Sequence, residues 1–433
     1  MAENLAAEDD PYRDPRVELV VAEGREYAAR LEERGEKFDM VYVPIATLFG
    51  SSGHALTQTY LMSTEAMSLY FKMLKPGGYV AIYFKSVIAD KLLDAVTKAL
   101  GKEGISDRLP HLAAFNQGGG FVLLARPSEA ISPVVRQKLY QAQPAKSVYN
   151  ITQGLARAKK LHHLSDDNPF LYNDGALLSR HRALFGYNVD FMKYILMFTS
   201  VLIFLVFLTS IKNASSGAKR SRSAYLAAFV IMGVAYSMYQ TGMIQRLMFL
   251  VGHPLLATSL VLPAMLAGTA LGSFSSKRIF ETKHALMRGL ITLFLLVAIA
   301  GFALTEPIEL ILPNWSIWQR CALALVLSGI PSIMMGTYFP VVFNRLETVD
   351  EKGPLWAWLT NGLGGVLGSV LGIFAAMFLG FSLTILLVIP LYGLLSLWDA
   401  TSNSNGNIAK LIDGLMSFML LLGLGYILFI SIV

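Results

Sequence analysis

His162, His163, Asp166 and Asp167 fall within six residues of one another. Imidazoles and carboxylates are the side chains a divalent metal takes as ligands. Neighbouring ligands on a polar loop are equally well satisfied by water, so no metal site is assigned to them. A second group lies in apolar surroundings. Gln240, Gln245 and Arg246 close one apolar run, His253-Pro254 follows, and Asn361 sits inside another. Polar side chains at bilayer depth are costly, so a solute or ion site is their default reading. Arg246 has the alternative of snorkelling to the interface. Gly364, Gly368 and Gly372 are spaced four apart, which lines one helix face with small residues for close helix packing. Gly118-Gly119-Gly120 could cradle a phosphate, but no helix follows it, and a tight hairpin turn fits better. The first half of the chain holds no G-x-G-x-x-G and no Walker loop. No Ser/His/Asp or Cys/His nucleophilic arrangement is recognisable, and Cys321 is alone, which excludes a disulfide framework and a thiolate metal site.

The elements that position these residues divide at Asp190. Residues 1–190 carry 22 Lys/Arg and 22 Asp/Glu, whereas residues 191–433 carry 14 and 8. The second part is otherwise a series of apolar runs of the length that a bilayer core demands of a helix. Eight spans are expected, at 191–211, 223–242, 255–274, 286–305, 318–338, 356–377, 379–398 and 412–432. A tight turn near Gly380 makes a hairpin of the sixth and seventh, and Pro331 and Pro340 are expected to kink or end the fifth. The +6 net charge resides wholly in this half, so it reports topology and not nucleic-acid binding. Loops 212–222, 275–288, 339–354 and 399–410 hold 4, 4, 2 and 1 Lys/Arg, against 1, 1 and 0 near 243–254, 305–320 and 378–382. The positive-inside rule makes the first set cytoplasmic and puts the soluble domain on the outer side. The polar, acidic N-terminus offers no signal peptide to carry it there. Lys159-Lys160 and Arg180-His181-Arg182 flank the first span, either solvated or touching anionic headgroups.

In the soluble half, Val17–Ala22, Phe38–Val43 and Tyr79–Phe84 read as strands, as do a stretch near 111–115 and Phe121–Arg126. Helices are expected up to about Arg34, over Thr59–Leu74 with a Lys75-Pro76-Gly77-Gly78 turn, and over Val87–Leu100 with Gly101 as its stop. Such alternation argues for a parallel α/β sheet. The expected organisation is a partial Rossmann-like domain over 1–140, a linker over 141–190 with an SDDNPF loop, and an all-α polytopic membrane domain over 191–433.

The runs DPRVELVVAEGREY, FDMVYV and LKPGGYVAIYF resemble the second half of a spermidine-synthase-like, class I S-adenosylmethionine-dependent domain. ALTQTYLMSTEAM, the SDDNPF loop at 165–170, GMIQRLMFLVGHPLLA and WAWLTNGLGGVLGS look like the bacterial membrane-bound branch of that family, in which the domain is fused to transmembrane helices. The resemblance spans roughly residues 14–398. It implies a location in the bacterial cytoplasmic (inner) membrane and S-adenosylmethionine or its decarboxylated form as cofactor, with Glu23 near the adenine. It implies that Asp166 and Asp167 order the linker against the membrane domain or line a site facing it. The family sheet runs three, two, one, four, five, seven, six. Its glycine-rich loop and its ribose-binding acid belong to strands one and two, and only 16 residues precede Val17 here. Those strands are therefore expected from an upstream segment or a partner chain. The aspartate that the aminopropyl transferases keep after strand four is replaced by Pro44-Ile45-Ala46-Thr47, which supplies no general base. The resemblance thus implies an aminopropyl- or methyl-transferase that is not competent alone. The alternative is a non-catalytic membrane protein that moves or binds a small solute through Gln240, Gln245, Arg246 and Asn361, with the soluble lobe as a regulatory remnant.

Overall fold

The run FDMVYV is β-branched and aromatic, and it forms β1 (Phe38–Val43), behind helix α1 (Gly24–Glu33). The computed structural model describes residues 14–22, 24–44, 60–117, 120–141, 148–170, 187–212, 219–279, 285–304, 315–349 and 353–401. After a 3-10 turn at Tyr60–Met62, Ser63 caps α2 (Thr64–Lys72) by accepting the Ala66 N–H at 3.2 Å. Strand β2 (Leu74–Lys85) follows, then α3 (Ala89–Lys102), β3 (Leu112–Gln117) and β4 (Gly120–Ala125). Helices α4 (Pro133–Gln141) and α5 (Ile151–Ala158) complete the lobe, with α5 packed on α3.

Three local expectations need correction. The Lys75–Gly78 segment is a bulge in β2 and not a turn before it: the pairing jumps from Phe38↔Leu74 to Met40↔Tyr79, with Gly77 at φ +83°. Helix α3 passes Gly101 and stops at Gly104, φ +81°, where Ile105 N–H reaches the Leu100 carbonyl and Gly104 N–H that of Gly101. That is a Schellman closure, which requires the left-handed residue after the helix. Val17–Val21 forms no strand. Val21 is 96% exposed, and among the described residues no strand pairs with the segment.

The sheet order is β1-β2-β4-β3, with β1 parallel to β2 and both other pairings antiparallel. The expected parallel sheet is therefore mixed. Gln117 pairs with Gly120, and so short a link can join only antiparallel neighbours. Ile82, Phe84, Leu92, Val96, Phe121 and Leu123 are essentially inaccessible and form the lobe core between the sheet and its helices.

Among the described residues eight helical segments follow: α6 (Tyr187–Lys212), α7 (Lys219–Val251), α8 (Pro254–Ile279), α9 (Ala285–Leu304), α10 (Ile317–Val349), α11 (Gly353–Leu379), α12 (Phe381–Leu386) and α13 (Val388–Thr401). Among the described residues six stretches are long and apolar enough to cross a membrane: 193–212, 222–251, 254–276, 317–348, 353–379 and 381–401. The expected fourth span falls on α9, an apolar helix of 20 residues of which Gly289–Ile299 is an apolar stretch among the described residues. The expected eighth, 412–432, lies outside the described residues.

Helix α10 runs unbroken through Pro331 and Pro340, against expectation. Pro331 cannot bond the Leu327 carbonyl four residues back, and the buried Tyr239 hydroxyl of α7 donates to that carbonyl at 3.1 Å. A neighbouring helix thus satisfies the group that proline frees. Gly364 and Gly368 meet the α7 backbone at Val230 and Val234, and Gly372 lies against Met238. Gly268, Gly272 and Gly336 bring α8 and α10 equally close.

Candidate functional site

The SDDNPF loop is a strap tied on both sides. It turns tightly, with Ser165 and Asn168 exchanging backbone hydrogen bonds at 3.1 and 3.3 Å. Within that turn the two aspartates face opposite ways. Asp166 enters the lobe, where Arg25 of α1 donates both terminal nitrogens to its carboxylate at 2.5 and 2.6 Å, and Ser63 Oγ donates at 2.6 Å. Both partners of this ion pair are nearly buried. Asp167 enters the bundle. Its carboxylate accepts from the Ser382 N–H at 2.8 Å and the Ser382 hydroxyl at 2.6 Å, and its carbonyl accepts from the Phe381 N–H at 3.0 Å. It thereby caps α12, with Arg246 of α7 3.7 Å away.

The rest of the strap repeats this division. Asn168 donates to the Met377 carbonyl at the end of α11, 3.3 Å, while the buried Lys91 of α3 donates to the Phe170 carbonyl at 3.0 Å. The Phe170 ring packs 5.7 Å from Phe381. His163 lies 2.9 Å from Asp94 and 3.2 Å from Thr64 in the lobe, whereas the His162 ring turns to Phe378, 6.2 Å away. The four residues that read as possible metal ligands therefore point apart. Gly380 permits the strap's approach: it sits at φ +85°, and a Cβ there would collide with the Asp167 carboxylate.

A second bridge runs through Tyr60. Its hydroxyl donates to Gln245 Oε1 at 3.1 Å, and its ring meets Phe249 edge-on at 4.6 Å. The Arg25 guanidinium stands 5.0 Å over the same Phe249 ring. Burial, reinforced by the Asp166 charge, pushes the Tyr60 phenol well above its ordinary range, so it remains a neutral donor.

Gln245, Arg246, Asp166 and Asp167 are thus gathered at the lobe–membrane junction. Gln240 is half-buried five residues of α7, about one and a half turns, before Gln245. Asn361 packs against Gly233, about 18 Å down the α7 axis from Gln245 at the helical rise of 1.5 Å per residue. The His253 ring accepts the Leu255 N–H at 3.2 Å and caps α8. Glu23 lies outside the described residues. Among the described residues no group of three His, Cys, Asp or Glu side chains gathers to hold a metal.

Sequence reasoning missed Arg25, Tyr60, Ser63 and Ser382. Arg25 reads as a solvated residue on a short polar helix, and nothing local announces that its partner lies 141 positions away. It also missed the pair formed by Arg345 of α10 and Asp399 of α13, 2.7 Å apart and buried. Both had been assigned to loops, although an acid at the end of an apolar run is a signal in its own right.

The lobe meets the bundle at the end of α7, at the α11–α12 turn and at the start of α10, where Arg320 stands 3.9 Å from Glu33. These are the connections poor in Lys/Arg. Compared with known proteins, the chain matches no family model, no curated protein and no solved structure.

Proposed function

We propose that this chain is a membrane-anchored member of the spermidine-synthase-like, S-adenosylmethionine-dependent transferase family, with a Rossmann-like half-domain and about eight spans in a bacterial cytoplasmic membrane. The observation that carries the reading is the sheet. Its order β1-β2-β4-β3, with one parallel and two antiparallel pairings, corresponds to strands four, five, seven and six of the order the resemblance implies. Among the described residues β1 is paired on one side only, the side away from the position that strand one would take. Pro44, at the carboxyl end of β1, offers no carboxylate to serve as the general base of an aminopropyl transfer. S-adenosylmethionine or its decarboxylated form would bind once a further segment or a partner chain supplies the missing strands. In this reading the chain contributes half a transferase fold, and its junction fixes the lobe on the membrane.

The alternative solute-carrier reading is less favoured, because Asn361 packs at Gly233, about 18 Å along α7 from Gln245 and Arg246 at the junction. The test is calorimetric titration of both nucleosides against the full chain in nanodiscs and against the assembly isolated intact from native membranes. Saturable binding by the native assembly and none by the chain alone is expected. A native assembly that binds neither nucleoside would remove the transferase reading.

A further inference from the structure

The junction sets the height of the lobe above the bilayer. His162 packs on Phe378, and Asn168 bonds the Met377 carbonyl, so this part of the lobe sits level with the last turn of the membrane-spanning α11. Immediately before His162, α5 ends in two tight turns, with Lys160 N–H on the Arg157 carbonyl and Leu161 N–H on that of Ala158. These turns present Lys159 and Lys160, both exposed, within two residues of the helix end. Lys160 and Lys159 precede His162 by two and three residues, at most about 7 and 11 Å of chain. Arg157, the neighbouring cation, is occupied by Asp90 at 2.8 Å. Among the described residues neither lysine forms an ion pair. Phe378, which His162 contacts, and Leu379 and Leu383 of the same α11–α12 turn stay between 42% and 47% exposed.

Two ammonium groups at headgroup height, above an apolar strip on a membrane helix, match the two ends of one molecule. We propose that Lys159 and Lys160 bind the headgroup of an anionic phospholipid whose acyl chain lies along Phe378, Leu379 and Leu383. The basic pair attracts the phosphate, and the apolar strip distinguishes a lipid from a free phosphate. The site does not depend on the transferase reading.

Native mass spectrometry of the full chain in detergent, titrated with phosphatidylglycerol and with phosphatidylcholine, tests this. At about fivefold per basic residue near a membrane surface, K159A/K160A should weaken phosphatidylglycerol binding roughly 20- to 30-fold and leave phosphatidylcholine unchanged. K159R/K160R should retain the preference, and added salt should erode it. Excess glycerol 3-phosphate should not displace the lipid. Unaltered hydrogen exchange in α3 would show that the alanine variant is folded. An undiminished preference in that folded variant would overturn the proposal. So would displacement by glycerol 3-phosphate, which would make the pair a site for free phosphate.

Discussion

Consecutive aspartates with opposite allegiances concentrate the junction in two residues. Asp166→Asn would leave the Arg25 guanidinium buried without its counter-charge, a loss that costs about 3–5 kcal/mol in comparable buried pairs. Hydrogen exchange should show α1 and the strap opening more readily, with α13 unchanged. Asp167→Ala should cost about 1 kcal/mol, the worth of a helix cap, and loosen α12 instead of α1. Asp94 adds a pH dependence. Burial raises its carboxyl, but hydrogen bonds from His163 and Lys98 outweigh that and hold it below the ordinary carboxylate range. A carboxylate lowered in the folded state stabilises the fold above its unfolded value of about 3.9 and ceases to do so as pH falls through the lowered one. Protection of the His163 segment should therefore fall in acid below about pH 4, and Asp94→Asn should remove that component of the fall.

Helix pairs in the bundle are joined by backbone contact, and polar side chains repair what proline disrupts. Tyr239→Phe leaves the Leu327 carbonyl without its donor, which in membrane bundles costs about 1 kcal/mol. In the Pro331→Ala background the restored N–H can take that carbonyl, so the same change should cost less. Unfolding of the four variants in mixed micelles gives the coupling directly. Gly368→Leu should be far more damaging, because its side chain would have to enter the Val234 backbone of α7. The stripe Gly364, Gly368, Gly372 was legible because period-four spacing is a local property of one helix. In the contact of α8 with α10, Gly336 was not legible in the same way, since it comes from a different helix and acquires meaning only opposite Thr269.

The lobe sits on the end of the bundle whose connections are poor in Lys/Arg, which by the positive-inside rule faces away from the cytoplasm. Cys321 is the single cysteine, so a Cys321→Ser background allows one reporter thiol at a time. A cysteine at the exposed Lys98 of the lobe should react with a membrane-impermeant maleimide added outside intact cells. A cysteine at Lys212, at the far end of α6, should react only after lysis. This result bears on function: a lobe outside the cell would be separated from cytoplasmic nucleosides, and the transferase reading would then need a separate supply. The reverse labelling would mean that the loop charges misreport the orientation.

Composition and periodicity alone determined six helices long and apolar enough to cross a membrane, the α1, β1 and α3 segments and the β3–β4 hairpin. Each depends on residues close in sequence: apolar length, alternation, a glycine turn. What only the tertiary structure decided is where the polar residues go. Gln245 and Arg246 read as intramembrane polar groups, yet α7 extends to Val251 and delivers them to the lobe. Asp166 and Asp167 read as a polar loop, yet one is buried against Arg25 and the other caps α12. A charged side chain is stable either in water or beside a fixed partner, and its own sequence neighbourhood is compatible with both. The choice is made by a partner far along the chain, which the fold alone brings within hydrogen-bonding distance.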